Sequence, residues 1–152
     1  MVLHGISSTL RPEHPAMNNN KMFNNIIYKS KAADLVIYAN QSVAINNFSD
    51  YNLYFSPGGD VKIAWTSIPS YRSNYRNLEK FSTFSGLESH SQWADPKFAN
   101  ISAGDYTLEK ISPAIGAGTT AVRELGDQDL AGNQRVIKGS IDLGAYEYQG
   151  ER

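Results

Sequence analysis

Met22-Phe23-Asn24-Asn25-Ile26-Ile27-Tyr28 and Asp50-Tyr51-Asn52-Leu53-Tyr54-Phe55 share one texture, a short β-prone run of aliphatic and aromatic residues beside asparagine. Setting Ile26-Ile27-Tyr28 over Asn52-Leu53-Tyr54 spaces the two runs as successive coils of a solenoid are spaced. Leu35-Val36-Ile37-Tyr38-Ala39 lies between them as a further β-prone run. A unit this short buries too little apolar surface to fold alone and must stack on its neighbours. Asn24-Asn25, Asn40 and Asn46-Asn47 flank the runs. Asparagine tolerates left-handed backbone, and stacked asparagine side chains can hydrogen-bond from one coil to the next. Corners and strands thus account for the thirteen Asn and nine Tyr of the chain. An antiparallel sheet with Asn-rich turns would produce much of the same pattern.

Working outward, residues 56–72 are expected to break the repeat. Ser56-Pro57-Gly58-Gly59-Asp60 reads as a turn, and Val61-Lys62-Ile63-Ala64-Trp65 as an alternating strand with Val61, Ile63 and Trp65 on one face. A helix of about three turns follows. Ser73 or Asn74 caps its start, Leu78, Phe81 and Phe84 form its apolar stripe, and Gly86 suits a left-handed stop. It is expected to lie against the side or open end of the solenoid. Tyr106-Thr107-Leu108 reads as a short strand, and Ile141 to Tyr148 as the final one, with Leu143, Ala145 and Glu147 on one face.

The end of the chain carries an ordered set of motifs: Ala94-Asp95-Pro96-Lys97-Phe98, Ser112-Pro113-Ala114-Ile115-Gly116-Ala117-Gly118, Asp129-Leu130-Ala131-Gly132-Asn133-Gln134-Arg135 and Asp142-Leu143-Gly144-Ala145-Tyr146-Glu147. Asp129 and Arg135 are close enough to pair across a turn built on Gly132. Asp142 and Glu147 offer further acceptors to Arg135 or to backbone N–H groups. A solenoid must cover its last coil, and hydrogen-bonded carboxylates can fasten such a cover. Asp129, Gly132, Arg135, Asp142, Gly144 and Glu147 are therefore read as a structural clasp.

In their order, these motifs resemble the closing segment of secreted right-handed parallel β-helix proteins of the pectate-lyase-like type. The resemblance covers residues 48–148 through ordered motifs and residues 22–47 through coil texture. It implies a polysaccharide-processing context, since similar proteins include polysaccharide lyases, glycoside hydrolases and repeat proteins of unknown activity. Activity on such a scaffold resides in particular sites, so the resemblance implies a substrate class more than a reaction.

Composition narrows the classes. The chain has 152 residues, 41% apolar and 19% charged, as an ordinary globular domain has. A net charge of −1 and the lack of a basic run argue against a nucleic-acid partner. No apolar run approaches the roughly 20 residues of a membrane span, so no membrane partner is expected. The absence of cysteine excludes disulfides, thiolate metal sites and a cysteine nucleophile. Met1-Val2-Leu3-His4-Gly5 lacks the pattern of a signal peptide, so an extracellular or periplasmic protein of this kind would carry its signal upstream.

Candidate chemistry is sparse. Glu88 and His90 would share a face of a strand, an arrangement suited to proton transfer, while Asp127 could pair with Asp129 as glycosidases pair carboxylates. Against this, His90 and Ser91 can satisfy backbone groups in the turn after the helix. Arg11, Glu13 and His14 form a proline-broken cluster that could supply the base and cation of a lyase. Ca²⁺ is the one cofactor that the oxygen ligands around Asp127 and Asp129 would admit. That loop lacks the acidic density of an EF-hand, so no metal is expected. Trp65, Tyr71, Arg72 and Trp93 are the candidates for sugar contact, because aromatic rings stack on the apolar faces of sugars and polar neighbours bind hydroxyls.

The expectation is an all-β chain: a right-handed parallel β-helix segment of two to three coils with a short helix and an irregular C-terminal cap. Residues 1–21 form an irregular or partial coil, 22–148 the domain, and 149–152 a disordered terminus. The expected function is carbohydrate recognition within an extracellular polysaccharide-processing protein, the chain being a fragment of a longer one. The alternatives are a glycoside hydrolase or lyase in its own right and a structural or adhesive module. An uncapped first coil would expose strand edges and invite self-association.

Overall fold

A computed structural model describes residues 21–28, 35–40, 48–58, 61–68, 71–75, 77–122 and 125–150, with the backbone alone in 35–40, 61–68 and 71–75. The regular structure of the described residues is mostly strand, with one α-helix and a single 3-10 turn over Ile101–Ala103. The strands are β1 (Lys21–Phe23), β2 (Ile26–Tyr28), β3 (Leu35–Asn40), β4 (Phe48–Asp50), β5 (Leu53–Phe55), β6 (Val61–Ile68) and β7 (Tyr71–Tyr75). After the helix α1 (Leu78–Ser85) come β8 (Gln92–Trp93), β9 (Phe98–Asn100) and β10 (Asp105–Leu108).

Strands three places apart in chain order pair in parallel. β1 lies on β4, β2 on β5, β5 on β8, and β3 on β6. Lys21 faces Phe48 and Ile26 faces Leu53, whereas Leu35 faces Val61, a connection shorter by one residue. The sequence alignment that set Ile26 over Asn52 is therefore one residue out. A slip of one residue exchanges the two faces of a strand. In the structure Ile26, Tyr28, Leu53 and Phe55 meet Phe98, Leu108, Ala114 and Leu143 on one side. Ile27 and Tyr54 meet Phe81 of the helix on the other. Because both faces of β2 and β5 are covered, their sequences read as continuous apolar runs and carry no alternation to set the register. The register comes from the corners instead, where Asn25 sits over Asn52.

Two further boundaries differ from the sequence reading. Parallel pairing does not stop at residue 56, since the whole of Leu35–Asn40 pairs with 61–66 in parallel. It breaks at β7, which returns antiparallel along β6, with Ile68 opposite Tyr71 and Trp65 opposite Ser73. Ser73 and Asn74 consequently lie in a strand, and Asn77 caps the helix by accepting from the Lys80 N–H at 3.1 Å. The expected stop at Gly86 is present, with φ 70° and its N–H bonded to Ser82 O. The stripe is narrower than expected. Phe81 is buried, but Phe84 is 61% exposed, and the eight-residue helix is shorter than three turns.

β9 and β10 form an antiparallel pair that includes the expected Tyr106–Leu108 strand. The final strand expected over 141–148 is absent. Gly144 has φ 99°, and a Cβ there would lie 2.9 Å from Ile26 Cδ1, so the chain needs glycine to cross β2 at this distance. The N–H groups around it bond separately: Leu143 to Ala114 O at 3.0 Å and Gly144 to Asn24 O at 2.9 Å. Leu143, Gly144 and Tyr148 thereby lie over the face of β2 and β5 without joining their sheet. Among the described residues no helix is long and apolar enough to cross a membrane.

Leu53 is fully buried between the strands and this cover, while Ile111 is 72% exposed. Chemical denaturation of Leu53→Ala should show a loss of about 2–5 kcal/mol. Ile111→Ala should stay within about 0.5 kcal/mol of the parent.

Candidate functional site

Buried polar groups gather in two places, the corners before β2 and β5 together with Glu88, and the tail. Asn24 and Tyr51 turn the chain with φ 58° and 54°, and Asn25 and Asn52 follow them into the next strands. Asn52 is fully buried. Its Oδ1 accepts from the Asn25 N–H at 3.1 Å and from Asn25 Nδ2 at 3.0 Å, while its Nδ2 donates to Met22 O at 3.0 Å and to Glu88 Oε2 at 3.2 Å. Its own N–H donates to Ser91 Oγ at 2.8 Å. Leu53 N–H reaches Asn25 O, and Gln92 N–H reaches Asn52 O, both at 2.8 Å. Side-chain and backbone bonds thus run through three successive corners.

Glu88 closes this network from below. It is 4% exposed and sits in left-handed backbone at φ 57°, so it belongs to a turn and not to the strand expected from the sequence. Ser49, Ser91, Asn52 and Tyr54 all donate to its carboxylate, the Tyr54 hydroxyl at 2.8 Å. Burial, followed by the adjacent Glu88 charge, pushes the Tyr54 phenol well above its ordinary value, which keeps it a donor. A buried carboxylate surrounded by neutral donors is stabilised as an acceptor of hydrogen bonds.

His90 does not face Glu88. It lies at the surface, with Nδ1 2.7 Å from Asp50 Oδ2, its N–H donating to Asp50 Oδ1 at 2.6 Å, and its ring stacked on Tyr51 at 4.5 Å. Ser89 Oγ also donates to Asp50 Oδ2. Burial raises the Asp50 carboxyl, but the bonds from His90, Tyr51 and Ser89 outweigh it and hold the group below its ordinary value. Ser89 stands on the Nδ1 side of the imidazole, so the three residues lack the order of a nucleophilic triad, which places the nucleophile on the other nitrogen.

The tail carboxylates behave as the Glu88 carboxylate does. Asp129 Oδ1 accepts from Ala131 N–H at 2.9 Å and Asn133 N–H at 2.8 Å, and its Oδ2 accepts from Glu147 N–H at 3.0 Å. Asp142, fully buried, accepts from Gly116 N–H and Tyr148 N–H, both at 2.7 Å. Glu147 Oε2 accepts from Asp142 N–H at 2.9 Å. The pairing of Asp129 with Arg135 expected across Gly132 is not formed. Arg135 donates to Gly144 O at 3.0 Å and places Nε 3.9 Å from Glu147 Oε1, because backbone amides of the turn already occupy Asp129. Gly132 supplies that turn with φ 83°.

Of the other candidates, Trp65, Tyr71 and Arg72 fall on the directly paired strands β6 and β7, with Asp127 and Trp93 on separate segments. Asp127 is exposed, and its backbone carbonyl, not its side chain, is engaged, by Arg135 N–H at 2.9 Å. It therefore does not combine with the buried, fully engaged Asp129 into a working pair. Trp65 lies on β6 and Tyr71 and Arg72 on β7, their side chains outside the description. Trp93 is 37% exposed on the outermost strand of the β2–β5–β8 sheet, with its ring 6.3 Å from Phe55, which in turn lies 6.0 Å from Tyr28. Arg11, Glu13 and His14 fall outside the described residues. Among those described, no group of three or more His, Asp or Glu is arranged to hold a metal ion. Sequence reasoning missed Asn52 and Asp50. The signal for both was the asparagine ladder, which setting Ile26 over Asn52 displaced by one position. The chain matches no protein-family model, no curated protein and no solved structure.

Burial raises the Asp129 carboxyl, and the bonds from Glu147, Asn133 and Ala131 more than offset this, holding it below its ordinary 3.8. Its stabilising contribution is fully present above that pH and is lost as the pH falls through the lower folded-state value. Asp129→Asn should cost about 2–3 kcal/mol at pH 7. Denaturation followed from pH 7 downward should show the variant and the parent converging below about pH 4.

Proposed function

We propose that the chain is a segment of a right-handed parallel β-helix that serves as a carbohydrate-recognising module of an extracellular polysaccharide-processing protein. The near-constant spacing of three of the four parallel pairs supports the solenoid reading: Lys21 meets Phe48, Ile26 meets Leu53 and Leu35 meets Val61, equal along the chain to within one residue, while the longer step from Leu53 to Gln92 contains β7 and the helix. Parallel crossovers within one sheet are right-handed in about 98% of cases, which supplies the hand. The helix and the irregular tail then act as covers, and the buried carboxylates as the clasp that fastens them.

The recognition reading rests on Trp93. An indole at 37% exposure on an edge strand, backed by Phe55, offers a flat apolar surface held by its neighbours. Sugars place their axial C–H groups against such faces. Recognition is preferred to catalysis because Glu88 and Asp129, the best-placed carboxylates, are occupied by structural donors.

Trp93→Ala should retain the parent's melting temperature within a few degrees and lose at least about tenfold in affinity for the glycans that the parent retains on an array. Unchanged glycan binding by the variant would remove Trp93 from the site. Release of reducing ends or unsaturated uronates by the parent protein would show that the module is an enzyme.

A further inference from the structure

A groove of about 380 Å³ opens between the first corner and the tail, away from the Trp93 edge of the sheet. Its walls include Phe23 and Asn25 on one side and Gln128, Asp129, Leu130 and Arg135 on the other. Its volume falls within the roughly 300–1,000 Å³ usual for small-molecule sites. The polar groups that face it are unequal in what they have left to offer. Asn25 uses both amide hydrogens, on Phe23 O at 2.9 Å and Asn52 Oδ1 at 3.0 Å, and its Oδ1 receives no donor among the described residues. Asn52 reaches back to Met22 O on β1, one strand layer away, but Asn25 turns one amide hydrogen onto Phe23 O of its own segment. The acceptor end of the ladder is thereby left open.

Across the groove Gln128 is exposed and its side-chain amide bonds to nothing among the described residues, offering a donor and an acceptor together. Arg135, its side chain 16% exposed, spends one donor on Gly144 O and buries Nε beside Glu147, which leaves its terminal nitrogens to offer the groove a donor. Leu130, 72% exposed, adds an apolar surface. The charges largely cancel. Glu147 lies 3.9 Å from Arg135 Nε, and Asp129 is filled by three backbone N–H groups and the Asn133 side chain. Mixed donors and acceptors, one apolar platform and no uncompensated cation suit a ligand rich in hydroxyls and lacking charge. A uronate would meet the Asp129 carboxylate in the groove wall, while the one guanidinium there already has the buried Glu147 carboxylate beside it.

We propose that this groove binds a neutral oligosaccharide, an inference that rests on the carbohydrate reading above and specifies its substrate class. Hydroxyls of the sugar donate to Asn25 Oδ1, exchange hydrogen bonds with the Gln128 amide and accept from Arg135, while one ring face rests on Leu130.

The test is calorimetric titration of the parent, Gln128→Ala, Leu130→Ala and Trp93→Ala with cellohexaose, xylohexaose and mannohexaose, and with hexagalacturonate as the anionic probe. Gln128 and Leu130 are exposed, so their variants should melt with the parent. The proposal requires that at least one neutral hexamer bind more tightly than hexagalacturonate. It also requires that Gln128→Ala and Leu130→Ala each weaken that binding by about fivefold or more. Preference for hexagalacturonate, or neutral binding that only Trp93→Ala impairs, would overturn the groove and leave the carbohydrate reading standing. Failure of all four hexamers to bind the parent would overturn both.

Discussion

A backbone that turns a corner inside a protein leaves N–H and C=O groups that no sheet can satisfy, and in this chain Asn52 meets that requirement. From a fully buried position its amide bridges Asn25, Met22 and Glu88, and its main chain continues to Ser91 and Gln92. A buried polar group without a partner costs more than the bond it would have made. The corners therefore favour the arrangement in which the buried Asn52 amide finds all its partners, and that arrangement places Ile26 over Leu53. The packing of the strands follows from it. Ile26 and Leu53 go to the cover, while Ile27 and Tyr54 go to the helix.

The same physics organises the tail. Residues 141–148 form no strand, yet the N–H groups of Asp142, Glu147 and Tyr148 each end on a buried carboxylate. Charge-assisted bonds of this kind are roughly twice as strong as neutral ones, which lets irregular backbone stay ordered. The cover is joined to the strands through Asn24. Its side chain accepts from the Thr119 N–H and donates to Thr119 O, both at 2.8 Å, and its backbone carbonyl receives Gly144 N–H. The first corner and the last segment are thus one hydrogen-bonded unit, and the groove proposed as a sugar site lies along their junction.

Much of this was legible in the sequence at the level of texture. The β-prone runs, the left-handed stop at Gly86 and the strand at 106–108 all follow from local propensity. The register was not legible, because Tyr51 occupies a left-handed corner that composition assigns to Asn or Gly. With Tyr51 counted as strand, the alignment moved by one and hid the Asn25–Asn52 pair. The helix start was displaced because Ser73 and Asn74, good capping residues by type, are drawn into β7 by pairing with β6. Tertiary contacts overrode local preference there. In the tail, the acidic residues were recognised as fasteners, but their partners are amides distributed over the fold, which no local spacing reveals. The candidate chemistry dispersed for the same reason. Glu88 turned inward to the corner, His90 stayed outside with Asp50, and Asp127 remained at the surface.

The fold depends on the register that sets Lys21 opposite Phe48, imposed by the amide corner that follows β1 and β4. The chain has no cysteine, so an introduced pair reports on that register without interference. Directly opposed parallel neighbours stand about 4.8 Å apart with their side chains on one face, a geometry that a disulfide spans, whereas residues one step out of register point to opposite faces and cannot be bridged. Mild oxidation of Lys21→Cys/Phe48→Cys, read by the mass of a single cross-linked peptide after proteolysis, should give nearly complete bonding, with Met22→Cys/Phe48→Cys remaining largely reduced. Efficient cross-linking of the Met22 pair and none of the Lys21 pair would restore the register that sets Ile26 over Asn52 and contradict the amide corner as the element that sets the fold.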